Sequence, residues 1–223
     1  MSARLRRDYQ DGLDDLRLQV EFMGIKVEQN LERMAMVLEG GDSQLAWSAL
    51  DADDDIDATN VSITEKCYET LLRQAPVAGD LRFVVSVVRV AAELERIGDI
   101  ALRVVKLAPD HELLRSNPEI FDILQVMAAR SIEVYHTAMS AWASADAATA
   151  GKLLTDRSPT AHLADRVSGY ISSLTGQDAA AVAVRVNVAC HALDRIADHA
   201  LVIAARVRYL VTGDAKHLAA EVR

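Results

Sequence analysis

The chain of 223 residues has only four prolines and ten glycines, and aromatics make up 4% of it. So few backbone breakers and bulky rings argue against a β-sandwich or barrel, which needs frequent turns and large strand residues. Only two cysteines occur, Cys67 and Cys190, far apart and outside any CxxC pattern. A disulfide framework and a zinc ribbon are thereby excluded, and two apolar, buried thiols in a reducing compartment are expected. Positive charge is also short: 24 Lys and Arg against 33 Asp and Glu leave a net −9. A nucleic-acid binder wants a basic face, so no nucleic-acid partner is expected, whereas surplus carboxylates suit a cation binder. No apolar run reaches the ~18 residues of a membrane span. The most apolar stretch, around Phe83 to Val90, is cut by Arg82 and Arg89. The start, MSARLRRDYQ, lacks the apolar segment of a signal peptide. A cytoplasmic protein without membrane insertion is the expectation.

What is present is helical periodicity. Apolar residues make up 51% of the chain, enough for a sizeable core. Sparse breakers, at Gly40-Gly41, Pro76 with Gly79, Pro109, the alanine-rich stretch around Ser144–Gly151 and Gly176, divide it into six long segments, and Ala141–Ala150 is expected to be a connector without chemistry. The first carries Leu13, Leu16, Val20, Met23, Val27, Leu31 and Met34 at helical spacing. The second opens at the cap pair Asp42-Ser43, the third at Asp80, the fourth at Asn117-Pro118, the fifth at Ser158-Pro159 and the sixth at Asp178. Valines crowd the third segment and favour strands, but some 25 residues without a turn signal exceed a strand's usual ~3–10. The expected class is all-α.

An internal repeat organises these segments. Leu94–Leu102 (LERIGDIAL) aligns with Leu193–Leu201 (LDRIADHAL): six of nine positions are identical, a seventh keeps its carboxylate, and the offset is 99 residues. Two tandem three-helix bundles are expected, residues 1–110 and 111–223, each with the motif on its last helix.

The repeat also carries the chemistry. Glu95 and Asp99, like Asp194 and Asp198, are four apart and share one helix face. Like charges there repel unless a cation compensates, and a salt-bridged face is the bland explanation, with Arg96, Arg103 and Arg195 at hand. In an antiparallel hairpin turning near Gly79, residues close to Asp57 stand level with Asp99. There Asp53, Asp57, Asn60 and Thr64 form a polar stripe at i, i+4, i+7 and i+11, with Asp54 beside it. The pair Asp57 and Asp156 shares the 99-residue offset. Converging carboxylates need neutralising, and an all-oxygen set suits divalent or trivalent hard ions (Mg, Mn, Fe or Ca). The candidate ligands are Asp53, Asp54, Asp57, Asn60, Glu95, Asp99, Asp156, Asp194 and Asp198. The second set is poorer in oxygen, with Leu153 and Pro159 where the first has Asp54 and Asn60; His162 or His199 is a candidate to complete it.

At these residues the chain resembles the PhoU family. The motifs that carry the likeness are Glu95-Arg-Ile-Gly-Asp99, Asp194-Arg-Ile-Ala-Asp198, the loop PVAGDLR from Pro76 to Arg82 and the end YLVTGD from Tyr209 to Asp214. The resemblance implies two three-helix bundles with metal ions, often several, on the carboxylate motifs. It implies a non-enzymatic negative regulator of phosphate uptake and phosphate-starvation signalling, coupling a phosphate ABC transporter and its ATPase to a sensor histidine kinase. A homodimer is expected. Asn60 and Pro159 depart from the family's pattern.

Two alternatives compete. A ferritin-like di-metal oxidase needs two Glu-x-x-His motifs with two further Glu; only Glu133-Val-Tyr-His136 is present. A metal-free helical adaptor would leave the carboxylates as a solvated face. No G-x-S-x-G, Walker loop or dinucleotide fingerprint occurs, and His191 and His199 are expected at the surface or behind the ligands.

Overall fold

The structure, a computed structural model, describes residues 3–156 and 158–222, and those residues contain helices and no strand. The first half holds the three expected helices: α1 (Ala3–Gly40), α2 (Ser43–Gln74) and α3 (Ala78–Val105). After a 3-10 turn (Ala108–Asp110) come the short α4 (His111–Arg115), α5 (Pro118–Ser144), α6 (Ala147–Leu153), α7 (Ala161–Ser173) and α8 (Ala179–Thr212). A 3-10 stretch (Ala215–Val222) ends it. No described helix is long and apolar enough to cross a membrane.

Helices α1, α2 and α3 pack on one another, α8 packs along both α3 and α5, and α1 reaches across to α5. The α3–α8 seam therefore joins the two halves. The heptad-like stripe of α1 is the reason it packs inward: Leu16, Val20, Met23, Val27, Leu31 and Met34 are all fully buried. Each such side chain contributes about 1.5–3 kcal/mol by leaving water. The valine-rich α3 is a helix buried on most sides, with Val84, Val87, Val90, Leu94 and Ile97 fully buried. Length thus wins over β-propensity.

Helix starts follow their caps. Asp42 accepts from the amides of Gln44 (2.8 Å) and Leu45 (3.1 Å), and Asn117 accepts from Ile120 N (3.2 Å). Both satisfy amides that a helix N-terminus leaves open. Gly213 closes α8 in the left-handed region, φ 71°.

Three expectations are corrected. The turn after α2 falls on Ala75–Val77, and Gly79 lies inside α3, which starts two residues before Asp80. The alanine-rich region does break the chain, but the connector expected over Ala141–Ala150 shrinks to Ala145 and Asp146: helix α5 runs to Ser144, and α6 starts after Asp146, whose carboxylate accepts from Ala148 N and Thr149 N. The count of six long helices fails in the second half, where the middle segment is broken into α6 and α7. Pro159 lacks an amide proton and pushes its predecessor out of the helical region, so α6 cannot run through it. Helix α7 therefore begins at Ala161, behind Thr160, rather than at Pro159.

Candidate functional site

Helix α2 supplies Asp53, Asp54, Asp57 and Asn60; α3 supplies Glu95 and Asp99. Asp53 is buried at 9% exposure, because Gly98 opposite it has no side chain. A Cβ on Gly98 would come within 3.1 Å of Asp53 Oδ1. Burial pushes the Asp53 carboxyl up to about 6, and the charges of Asp57, Asp99, Glu95 and Asp54 push it the same way. Asp57 is raised by burial, then by Asp99 and Asp54; Glu95 is raised by burial, then by Asp99 and Asp57. Five carboxylates thus share one α2–α3 face and repel one another.

Two oxygens on this face are buried without a hydrogen-bond partner among the described residues: Asp53 Oδ1 and Asn60 Oδ1. An orphaned buried acceptor costs about 1–3 kcal/mol, more for a charged one. Both are hard oxygen donors, so the face fits a hard cation by its chemistry. As placed, no three described His, Cys, Asp or Glu side chains stand close enough to hold one ion. Asp57 and Asp99 are both solvent-exposed.

The second half is built differently. At the 99-residue offset Lys152 stands in the place of Asp53, Leu153 in that of Asp54, Pro159 in that of Asn60 and Ala197 in that of Gly98. Asp156 is exposed, accepts from Ser158 N and lies 3.8 Å from an Arg130 nitrogen. Asp194 accepts a hydrogen bond from the buried Thr160 hydroxyl at 2.5 Å. Asp198 borders a separate cavity with Arg195, Arg208 and Lys216. Here cations and hydroxyls already serve the carboxylates, and the oxygen-only character of the first face is lost.

Glu93 escaped the sequence reading, and His199 was expected at the surface or behind the ligands of the second set. Glu93 on α3 and His199 on α8 are both buried, and His199 Nδ1 lies 2.6 Å from Glu93 Oε2 across the seam between the halves. Arg96 Nη1 donates to the other oxygen at 3.1 Å. His199 is therefore an inter-helix partner and not a surface group. The available signal was Glu93 itself, an acid on the stripe of Val90, Leu94 and Ile97. No 99-residue counterpart helps, because Ala192 and Ile100 occupy those places.

Other sites of chemistry are spoken for. His136 Nε2 lies 2.9 Å from Glu28 on α1, and Glu133 pairs with Arg130, so the two ends of the single Glu-x-x-His have separate partners. Cys67 and Cys190 are free and buried. Burial pushes Cys67 up to about 12; burial and then the Asp194 charge push Cys190 up to about 11. Neither is a ready nucleophile.

Residues 20–108, which include the whole α2–α3 face, match the PhoU domain. A Pseudomonas aeruginosa protein named phosphate-specific transport system accessory protein PhoU homolog is 30% identical over 230 aligned positions, covering 98% of this chain and 91% of that protein. The Escherichia coli accessory protein PhoU is 31% identical over 134 positions, covering 60% of this chain and 55% of that protein. The alignment thus spans about half the length of that relative and of the similar Serratia marcescens protein. Among solved structures, PhoU from Pseudomonas aeruginosa superposes with a TM-score of 0.85 at 28% identity, over 92% of this chain and all of that one. The Streptococcus pneumoniae regulator PhoU, at 21% identity and a TM-score of 0.75, shares the fold. With sequence and architecture agreeing over nearly its full length, the chain belongs to the PhoU family.

Proposed function

We propose that the chain is a regulatory accessory protein of phosphate transport that holds hard cations on its α2–α3 carboxylate face. One observation carries the reading: the buried, unpartnered Asp53 oxygen amid four further carboxylates, facing the helix that bears the family's motif. Asp53, Asp57, Asn60, Glu95 and Asp99 would hold the ion, with Asp54 at the rim. Mg, Mn, Fe or Ca would supply the positive charge that the face lacks and draw α2 to α3. Asp156, Asp194 and Asp198 form at most a weaker second site.

In this reading residues 1–110 and 111–223 are two repeat units of a cytoplasmic, non-enzymatic homodimer. Its partners are a phosphate ABC transporter ATPase and a sensor histidine kinase. The relatives' names support the link to phosphate transport; the kinase and the dimer rest on the family resemblance.

The metal content of protein purified without chelator tests the site. Asp99→Ala should lower bound metal to under half of wild type, and Asp198→Ala should change it little. Unchanged stoichiometry in Asp99→Ala defeats the assignment. For the role, deleting the gene should derepress phosphate-starvation genes at high phosphate; continued repression counts against it.

A further inference from the structure

The seam between α3 and α8 opens into a groove of about 440 Å³, lined by Arg96, Asp99 and Arg103 from α3 and by His191, Arg195 and His199 from α8. Its charge runs against that of the whole molecule. Three guanidiniums face one carboxylate in a chain of net charge −9. Arg96 and Arg195 are the same residue of the repeat, 99 positions apart, so each half sends its motif arginine to one opening.

These arginines are poorly consumed by the protein. Arg96 spends one nitrogen on Glu93 (3.1 Å). The near partner of Arg195 is a ring nitrogen, His199 Nε2 at 3.4 Å, and not an anion. Arg103 has no ion-pair partner among the described residues. Each guanidinium carries five donors in a flat fork that matches two oxygens of one oxyanion. Forks from two helices across a narrow groove suit a tetrahedral anion better than a planar carboxylate.

We propose that this groove is a binding site for a phosphate-type oxyanion, held between Arg96 and Arg195 with Arg103 at the rim. It goes beyond the regulatory reading and does not rest on a bound metal, because the residues that hold the anion are cations of the chain itself. The same chemistry would arise from free inorganic phosphate or from the phosphoryl chain of a nucleotide.

Titration calorimetry of the full chain at low ionic strength, with inorganic phosphate and with ATP, tests it. Saturable binding of one anion per chain is expected. Arg96→Gln and Arg195→Gln should each weaken it at least about tenfold, roughly one lost charge-assisted contact. Arg73→Gln, which removes only the surface pair with Glu69, should leave affinity unchanged. Arginine-dependent binding of phosphate alone assigns the free anion; tighter arginine-dependent binding of ATP assigns the phosphoryl chain. Binding should survive chelator treatment. The proposal is overturned if neither anion binds, if both motif variants bind as wild type does, or if chelation abolishes binding. Should Arg195→Gln lose its helical circular dichroism, Arg103→Gln, at an exposed position, decides on the same criterion of weakened binding.

Discussion

Asp53 concentrates the physics of the first-half face in one carboxyl. Its pKa in the fold, about 6, stands above the ordinary 3.8. A group raised on folding contributes its stabilisation below the ordinary value and loses it as pH rises through the folded value. Metal-free protein should therefore lose stability between about pH 4 and pH 7 through this residue. Asp53→Asn removes the repelled charge at constant shape. In chelator at pH 7 the variant should melt higher than wild type, by roughly 2–4 °C per kcal/mol relieved, and the gap should narrow as pH falls and close only below the ordinary carboxyl value of 3.8. On adding Mg²⁺ or Mn²⁺ the order should reverse, since wild type gains a ligand-linked increment that the variant lacks. Thermal melts over that pH range, with and without metal, check both signs. A variant that melts lower in chelator at pH 7 would show the carboxylate to be favourably partnered. The glycine opposite was legible in the motif only as a difference, Gly98 against Ala197. Why it matters emerges from the 3.1 Å that a Cβ would leave to Asp53.

At the scale of elements, boundaries were readable wherever a cap residue acts alone. Asp42 and Asn117 sit before their helices, and their carboxylate and amide oxygens meet the first free amides. Ser158-Pro159 carried the same signal and misled. Thr160, one residue past the proline, is buried and donates its hydroxyl to Asp194, and α7 starts only after it. A tertiary contact of that kind has no local signature. The α1–α2 joint is stricter than its sequence suggests. Gly41 adopts φ 67°, its amide donates to Val37 O at 2.8 Å, and a Cβ there would meet the His111 ring at 2.5 Å. The His111 ring nitrogen Nε2 in turn lies 2.9 Å from Glu39 O. Gly41→Ala adds left-handed strain of about 1–2 kcal/mol to that collision and must displace the ring. Chemical denaturation should show a loss of at least about 2 kcal/mol. Gly12→Ala, at a site where a Cβ meets nothing within 4 Å, should gain stability by up to about 1 kcal/mol.

Across the whole molecule, the repeat made the helical plan of each half legible but concealed what ties the halves together. A tie between copies uses residues that need not recur within each copy. Glu93 and His199, 106 positions apart, are such a pair. Both are buried at the α3–α8 seam, with Arg96 completing the set. Breaking a buried pair by deleting one member leaves the other desolvated and costs about 3–5 kcal/mol, whereas replacing both with apolar groups is often close to neutral. Glu93→Leu and His199→Leu should therefore each destabilise strongly. The double variant should fall well short of the sum, with a coupling of about 1–3 kcal/mol. Urea unfolding of the four proteins at pH 7 measures the cycle. Strict additivity would mean that the two side chains are neighbours without interacting. If coupling is found and the single variants also unfold in two steps, the seam is the element that makes the two halves unfold as one, because an interface that loses its buried Glu93–His199 hydrogen bond lets the weaker half open first.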